Sequence, residues 1–373
     1  MKNKKVVRFI TVLLIASMCI VNTSVLAAVR VTDIYYGSAP IRSIIRCSNG
    51  RLIGARTAGH EIEVWSSSNN GSSWTRYGAV VSNNSINFAD PNLLAIAGTN
   101  TVFIAFTEIN SGKHWITICR SDNNGKSWVY DSTVVGNTSR FVGAPFLFRA
   151  DNGDLQCYYD SEELAEVNGR PGHQWIAMQG RNGISGSWNK YGVVTVSREA
   201  NSALLTRDGM ATVVNLGNNR LMCVTEGVET YATGGSHANV IRAIQSWDGG
   251  MTWDYNNRQI VYQSRIDAGS GRRYNAYAPY AIRIGGGPVG VVFCTDEDFQ
   301  GPPAYSNQDV LTRRAHVKYI QTTNTFENWG SVTTIWAAGD KAYVPGLYER
   351  WSNNVLVTID NFHGNQTILQ LTP

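Results

Sequence analysis

The sequence predicts an all-β fold, a six-bladed β-propeller, and three observations point to it. A turn motif recurs with a conserved-length layout, a second series of apolar hairpins runs in register with it, and the composition suits many tight turns. The motif reads Ser-x-Asp/Asn-x-Gly-x-Ser/Thr-Trp and occurs at Ser67–Trp74, Ser121–Trp128 and Ser246–Trp253. In such a turn the Asp or Asn side chain caps the backbone and Gly takes a left-handed conformation. The hydroxyl bonds locally and the Trp packs beneath as a plug. Trp188 and Trp329 keep the plug where the rest of the motif is lost, and the steps from Trp74 onward are 54, 60, 65 and 76 residues. Repeats of this length carrying one motif each indicate blades rather than a sandwich array. The 36 Gly, 11 Trp and 17 Tyr fit a large turn-rich β protein.

Read in order, the chain opens with an export signal. Lys2, Lys4, Lys5 and Arg8 precede an apolar run from Phe9 to about Val21, and Val25-Leu26-Ala27 supplies the small residues a signal peptidase requires. Cleavage after Ala27 is expected, the run being too short for a comfortable membrane span. The mature protein is therefore expected to be secreted and extracellular, a single propeller domain over 28–373. Its inner hairpins are expected at Ile44–Gly54, Leu93–Glu108, Phe146–Glu162, Ala211–Glu226, Ala281–Asp296 and Leu347–Asp360, each turning on Gly or Asn. The three-part motif and its Trp relics mark the turns between outer strands. The sixth blade lacks an outer strand of its own and must recruit one from near Val29–Tyr36, which closes the ring and removes free edges.

The chain holds 32 Lys and Arg against 28 Asp and Glu. The signal accounts for four basic residues and no acidic ones, so the mature protein carries 28 of each. Neither nucleic acid nor an anionic membrane is an expected partner of such a neutral surface. A monomer is expected. Cys47, Cys119, Cys157, Cys223 and Cys294 are odd in number and singly spread, and read as buried thiols rather than a disulfide frame. The six His are scattered without ligand spacing, and no metal or cofactor is called for.

In a propeller, chemistry sits where the hairpin strands end at the mouth of the central channel. Four such strands end in acids, at Glu108, Glu162, Glu226 and Asp296. Two carboxyls flanking one bond are the usual means of glycoside cleavage. Strand alternation lets only one of Glu162 and Glu163 face the channel. The turn motif itself is the Asp-box of sialidase-like propellers. The run Gly143 to Glu162, containing Tyr158-Tyr159-Asp-Ser-Glu162, resembles the third blade of the exo-α-1,5-L-arabinanases, glycoside hydrolase family 93. Arg207-Asp-Gly-Met210 through Thr225-Glu226 is similar to that family's fourth blade, His173-Gln174-Trp to a strand near the site, and Phe88-Ala-Asp90-Pro91 and Ala278-Pro279-Tyr280 to segments opening neighbouring blades. The resemblance covers most of the mature chain in blade order. It implies a retaining glycosidase with Glu162 as acid/base and Glu226 as nucleophile, acting from chain ends on an arabinan-like polysaccharide or oligosaccharide. Gln174 and Arg207 would then lie against the sugar. Asp90 either holds sugar hydroxyls or caps the turn before Pro91, and Tyr343, opening blade 6, either contacts the sugar or packs on its blade. Two positions depart from the family pattern: Ala144 stands where an acid precedes Pro-Phe, and Asp208 replaces the Pro of Arg-Pro-Gly-Met.

Two other functions compete. A sialidase needs three arginines around a carboxylate and a Tyr nucleophile, for which Arg42, Arg242, Arg283, Arg313 and Tyr343 are the candidates. The Arg-Ile-Pro pattern and a Glu at the start of blade 4 are missing. A carbohydrate-binding propeller without catalysis would have no need of paired carboxylates.

Overall fold

The computed structural model describes residues 29–198, 204–230, 237–299, 303, 315–323, 325–337, 342–360 and 366–373. The expected signal segment lies outside them. The strand β1 (Arg30–Gly37) precedes the first blade, which comprises β2 (Ile44–Arg46), β3 (Leu52–Thr57), β4 (Glu61–Ser67) and β5 (Thr75–Ser82). Blade 2 is β6 (Asn87–Ala95), β7 (Val102–Asn110), β8 (Lys113–Ser121) and β9 (Val129–Thr138). Blade 3 is β10 (Val142–Arg149), β11 (Leu155–Ser161), β12 (Trp175–Arg181) and the short β13 (Val194–Thr195). Blade 4 is β14 (Gly209–Gly217), β15 (Arg220–Thr230), β16 (His237–Ser246) and β17 (Gln259–Tyr262). Blade 5 is β18 (Ala276–Arg283), β19 (Val289–Thr295), β20 (His316–Gln321) and β21 (Thr333–Trp336). Blade 6 is β22 (Tyr343–Trp351), β23 (Asn354–Asp360) and β24 (Gln366–Thr372), and β1 pairs antiparallel with β24 to complete it. The predicted six blades and the closure by the N-terminal strand are both present.

The first strand of each blade touches the first strand of the next, from β2 through β6, β10, β14, β18 and β22 back to β2, so these six strands line the axis. Antiparallel order then sorts the connections between two faces. First-strand starts, second-to-third loops and interblade links gather on the upper face; inner hairpin turns and Asp-boxes gather on the lower. Apolar residues fill the wedges between blades as six clusters, one per neighbouring pair. Blades 1 and 2, for example, meet at Ile53, Val64, Leu93 and Ile104, and blades 6 and 1 at Leu52, Trp74, Leu356 and Ile368. Burial of this kind, worth about 25 cal/mol per Å² of apolar surface, is what holds one sheet against the next.

The Asp-box turns behave as their sequence requires. In blade 4, Asp248 Oδ1 accepts from Ser246 Oγ at 2.8 Å and from Thr252 N at 2.9 Å, Gly250 N donates to Ser246 Oγ at 2.8 Å, and Trp253 Nε1 donates to Gly250 O at 3.1 Å. Blade 1 repeats this with Ser67, Asn69, Gly71 and Trp74. Each box glycine also abuts the second strand of the preceding blade. An added methyl would lie 2.5 Å from Leu356 Cδ1 at Gly71, 2.6 Å from Ile53 Cδ1 at Gly125, and 2.5 Å from the Tyr158 hydroxyl at Gly250.

The first strands of blades 2 to 6 begin earlier than expected, at Asn87, Val142, Gly209, Ala276 and Tyr343. A sharp corner interrupts each and hides the strand's alternation. Asp90, Ala144, Met210, Ala278 and Val344 have φ between 38° and 57°, with an irregularity in pairing at the same place, and Arg42 (φ 62°) occupies the corner before β2. A left-handed backbone costs a non-glycine residue about 1–2 kcal/mol. Four of the six precede proline, which restricts them further. Six strained positions around one axis are an arrangement that surrounding structure must impose.

Candidate active site

The neighbouring blade holds these corners. Met210 N donates to Asp160 Oδ1 at 3.0 Å, Ala278 N to Glu226 Oε2 at 2.6 Å, and Arg42 N to Thr358 Oγ1 at 3.0 Å, while Ala144 N bonds the carboxyl of Asp90. In each case a side chain of one blade fixes the corner of the next. Asp160 and Glu226 therefore stand on adjacent blades in the same relation to the axis.

Register gives the same answer. The residue before each corner pairs across its hairpin with Thr107, Asp160, Glu226, Cys294 and Asp360 in blades 2 to 6. The expected equivalence of Glu108, Glu162, Glu226 and Asp296 does not hold, because only Glu226 occupies this position. Glu108 pairs with Phe88, one residue farther along, and therefore sits on the opposite side of its strand. Asp296 lies beyond the end of β19, accepting from Asn275 N at 2.6 Å. Glu162 and Glu163 both follow the end of β11, so strand alternation does not choose between them. Glu163 Oε1 accepts from Arg140 N at 3.0 Å. Glu162 Oε1 forms an ion pair with Arg207 Nη2 at 2.7 Å.

The remaining expected site residues fall into two groups. Arg207 and Gln174 support the acids: Arg207 Nη2 donates to Gln174 Oε1 at 3.2 Å, and Gln174 Nε2 donates to Asp208 O at 3.0 Å and Asp160 Oδ2 at 3.3 Å. A polar relay thus runs Glu162, Arg207, Gln174, Asp160. Asp90 and Tyr343 line an axial cavity of about 240 Å³, together with Arg42, Arg56, Phe88 and Asp360. Tyr343 also packs obliquely on Tyr277, with centroids 6.2 Å apart. Tyr277 belongs to blade 5, so the ring packs across the blade boundary rather than on its own blade.

Arg42 crosses the axis from blade 1. Its Nη2 donates to Met210 O at 3.1 Å and Pro279 O at 2.9 Å, in blades 4 and 5, and its guanidinium lies 5.2 Å from the Tyr280 ring centroid. Nη1 is buried and has no hydrogen-bond partner among the described residues. Burial pushes the Arg42 pKa down, opposed by the negative charges of Asp90 and Glu226. The Asp160 carboxyl is held well above the usual range, first by burial and then by the charges of Glu226 and Asp90, against the Met210 N–H and Arg42. Asp90 is raised by burial, against Arg42. These groups therefore form one electrostatic unit, in which three carboxyls and a guanidinium face each other away from solvent.

Among the described residues the sialidase arginines do not converge. Arg242 is buried against Asp208 at 2.9 Å, and Arg283, at the lower end of β18, bonds Gly287 O and Asn215 O. Arg313 lies outside the described residues. Among the described residues no group of three or more His, Cys, Asp or Glu side chains is placed to hold a metal ion, and all five described cysteines are buried and free.

Arg42 was named by sequence only among the sialidase arginines, and Asp160 and Asp360 were not singled out as site residues at all. A signal for them exists in the repeated residue-Pro pairs Asp90-Pro91, Ala144-Pro145, Ala278-Pro279 and Val344-Pro345. Those pairs mark the corners, and counting across each hairpin from them reaches the axial residues.

No family model and no curated protein sequence matches the chain. Solved structures do. An α-L-arabinofuranosidase Arb93A mutant from Fusarium graminearum, in complex with an iminosugar inhibitor, matches at 17% identity and TM-score 0.65 over 91% of this chain and 97% of its own. Penicillium chrysogenum α-L-arabinanase complexed with arabinobiose matches at 17% identity and TM-score 0.63, again over 91% and 97%. The Hadza microbial sialidase Hz136 matches at 13% identity and TM-score 0.59, over 88% of this chain and 65% of its own. At these identities the likeness is one of architecture, and the chain is a six-bladed β-propeller of the sialidase-like fold.

Proposed function

We propose that the protein is a secreted, retaining glycoside hydrolase that releases arabinobiose from the ends of α-1,5-L-arabinan or a similar glycan. The observation that carries the reading is the pair of acids, Asp160 and Glu226, at matching corners of neighbouring blades 3 and 4, with a cavity bounded by Arg42, Asp90 and Tyr343 on blades 1, 2 and 6. The cavity, about 240 Å³, is small against ligand sites of roughly 300–1,000 Å³, and exo action is carried by the family resemblance. Glu226 would act as nucleophile. The proton donor would come from blade 3, where the family resemblance assigns it to Glu162. Asp90 and Tyr343 would contact the sugar from the cavity wall, with Gln174 and Arg207 acting from behind the acids. Retention requires the two reacting carboxyls to stand about 5–5.5 Å apart, against roughly 6.5–9.5 Å for inversion.

The test is hydrolysis of linear and debranched arabinan, with a sialoside alongside, by wild type and by Glu226→Ala. Arabinobiose release by wild type and its loss by several orders of magnitude in a folded Glu226→Ala support the reading. Turnover of the sialoside alone would reassign the protein as a sialidase. Inactivity on all three substrates would refute the arabinan assignment and lead to a glycan-binding screen.

A further inference from the structure

Resting on the glycosidase reading, we propose that Asp160, rather than Glu162, is the group that gives its proton to the leaving glycosidic oxygen and later takes one from water. The argument is geometric first. Asp160 shares its register position with Glu226 on the adjacent blade and with Asp360 on blade 6, and Asp360 lines the axial cavity. Glu162 does not hold this position, and its carboxylate already accepts an ionic hydrogen bond from Arg207 at 2.7 Å.

The surroundings of Asp160 are built for a carboxyl that changes charge. Its Oδ1 is held by Met210 N, and Met210 follows Gly209, the residue that pairs with Glu226. A Cβ at Gly209 would come within 3.0 Å of Asp160 Oδ2 and 2.8 Å of Gln174 Nε2, so the glycine leaves room for the acid and its support. Only 4% of Asp160 is exposed, and the charges of Glu226 and Asp90 oppose a third negative charge there. The relay through Gln174 and Arg207 to Glu162 provides a polar setting that can adjust when Asp160 ionises. Glu162 thereby becomes a positioning residue.

The chemistry balances. A Glu226 carboxylate oxygen attacks the anomeric carbon as the glycosidic C–O bond breaks. The electron pair leaves on oxygen, which takes the Asp160 proton, yielding the alcohol, an ionised Asp160 and a glycosyl ester. Water then attacks the same carbon, Asp160 takes its proton, and the ester bond breaks to restore the Glu226 carboxylate.

Asp160→Asn and Glu162→Gln test the assignment, compared on an α-1,5-linked arabino-oligosaccharide and on 4-nitrophenyl α-1,5-L-arabinobioside, whose leaving group needs little protonation. The asparagine retains an acceptor for Met210 N, and circular dichroism checks the fold. Asp160→Asn should lose roughly 10²–10⁴-fold on the oligosaccharide, the usual worth of a general acid, and far less in forming the glycosyl ester from the aryl glycoside. Azide should accelerate its turnover and give a glycosyl azide of retained configuration, and the basic limb of its pH profile should vanish. Glu162→Gln should lose less than about tenfold on both substrates. This pattern in Glu162→Gln instead, or equal loss on both substrates without azide rescue in a folded Asp160→Asn, would overturn the proposal. An infrared difference spectrum keeps it separate from the arabinan reading. A proton donor must show a neutral carboxylic acid band at pH 7 that disappears in Asp160→Asn, and absence of that band overturns the assignment whichever glycan the wild type cleaves.

Discussion

Gly71 offers a direct test of how blade 1 is fastened to blade 6 across the closure of the ring. Its φ is +89°, and an added methyl would sit 2.5 Å from Cδ1 of the fully buried Leu356. Gly50, in the inner hairpin of the same blade, has a similar φ of +80° with no atom within 4 Å of the added group. Alanine at either site bears the left-handed backbone cost of about 1–2 kcal/mol. At Gly71 it also overpacks the wedge between the blades, which costs typically 1–3 kcal/mol. Gly71→Ala is therefore expected to lose about 2–5 kcal/mol and Gly50→Ala about 1–2 kcal/mol. Equilibrium unfolding in guanidinium, followed by tryptophan fluorescence, measures both. Adding Leu356→Ala to Gly71→Ala completes a double-mutant cycle, in which residues in contact should couple by about 0.5–3 kcal/mol. Equal losses at the two glycines, or a cycle with no coupling, would refute a tight contact at this seam.

Further outcomes follow from particular groups. Asp248→Ala removes an acceptor used by Ser246 Oγ, Met251 N, Thr252 N and Thr252 Oγ1. It should cost about 1–3 kcal/mol by leaving these donors to weaker partners, as a thermal melt will show. Burial pushes the Cys47 thiol up to about 11 and Cys119 up to about 12, and all five described thiols are buried. Ellman's reagent should accordingly modify none of the five in the folded protein and all of them in denaturant. Burial raises Asp154, but Lys190, Tyr191 and the Gly183 N–H outweigh it and bring its pKa to about 2, below the usual 3.8. A depressed carboxyl stabilises the fold above the unfolded value and loses that contribution as pH falls toward the folded one. Acid titrations should therefore show stability declining between about pH 4 and pH 2, with a flatter slope in Asp154→Asn.

Much of this architecture was legible in sequence because its turns are chemically explicit. Ser246, Asp248, Gly250 and Trp253 each have a separate task, so their spacing survives as a pattern. The closing strand could be anticipated because blade 6 lacked a partner, and Arg30–Gly37 supplies it. The axis was harder to read. A left-handed corner shifts the pairing, so counting back from Glu162 and Glu226 put two inequivalent positions in register. Asp160, two residues before Glu162, holds the place equivalent to Glu226. Arg42 was visible as one of several arginines. Its reach to Met210 O and Pro279 O joins residues 168 and 237 positions away, and no local pattern encodes that.

The zipper between β1 and β24 ties function to the order in which the chain is completed. Arg30 faces Thr372, so blade 6 is complete only when the last strand meets the earliest described one, whereas blades 1 to 5 are each built from consecutive strands. Joining ends more than 300 residues apart carries an entropic cost of about 5 kcal/mol, which contacts made within single blades do not offset. The axial group proposed as the site draws Arg42 from blade 1, Asp90 from blade 2, Asp160 from blade 3, Glu226 from blade 4 and Tyr343 from blade 6. No half-ring contains it. The proposed glycosidase activity would thus report closure of the entire circle, and a chain lacking its final strand should show none of it even where its individual blades have formed.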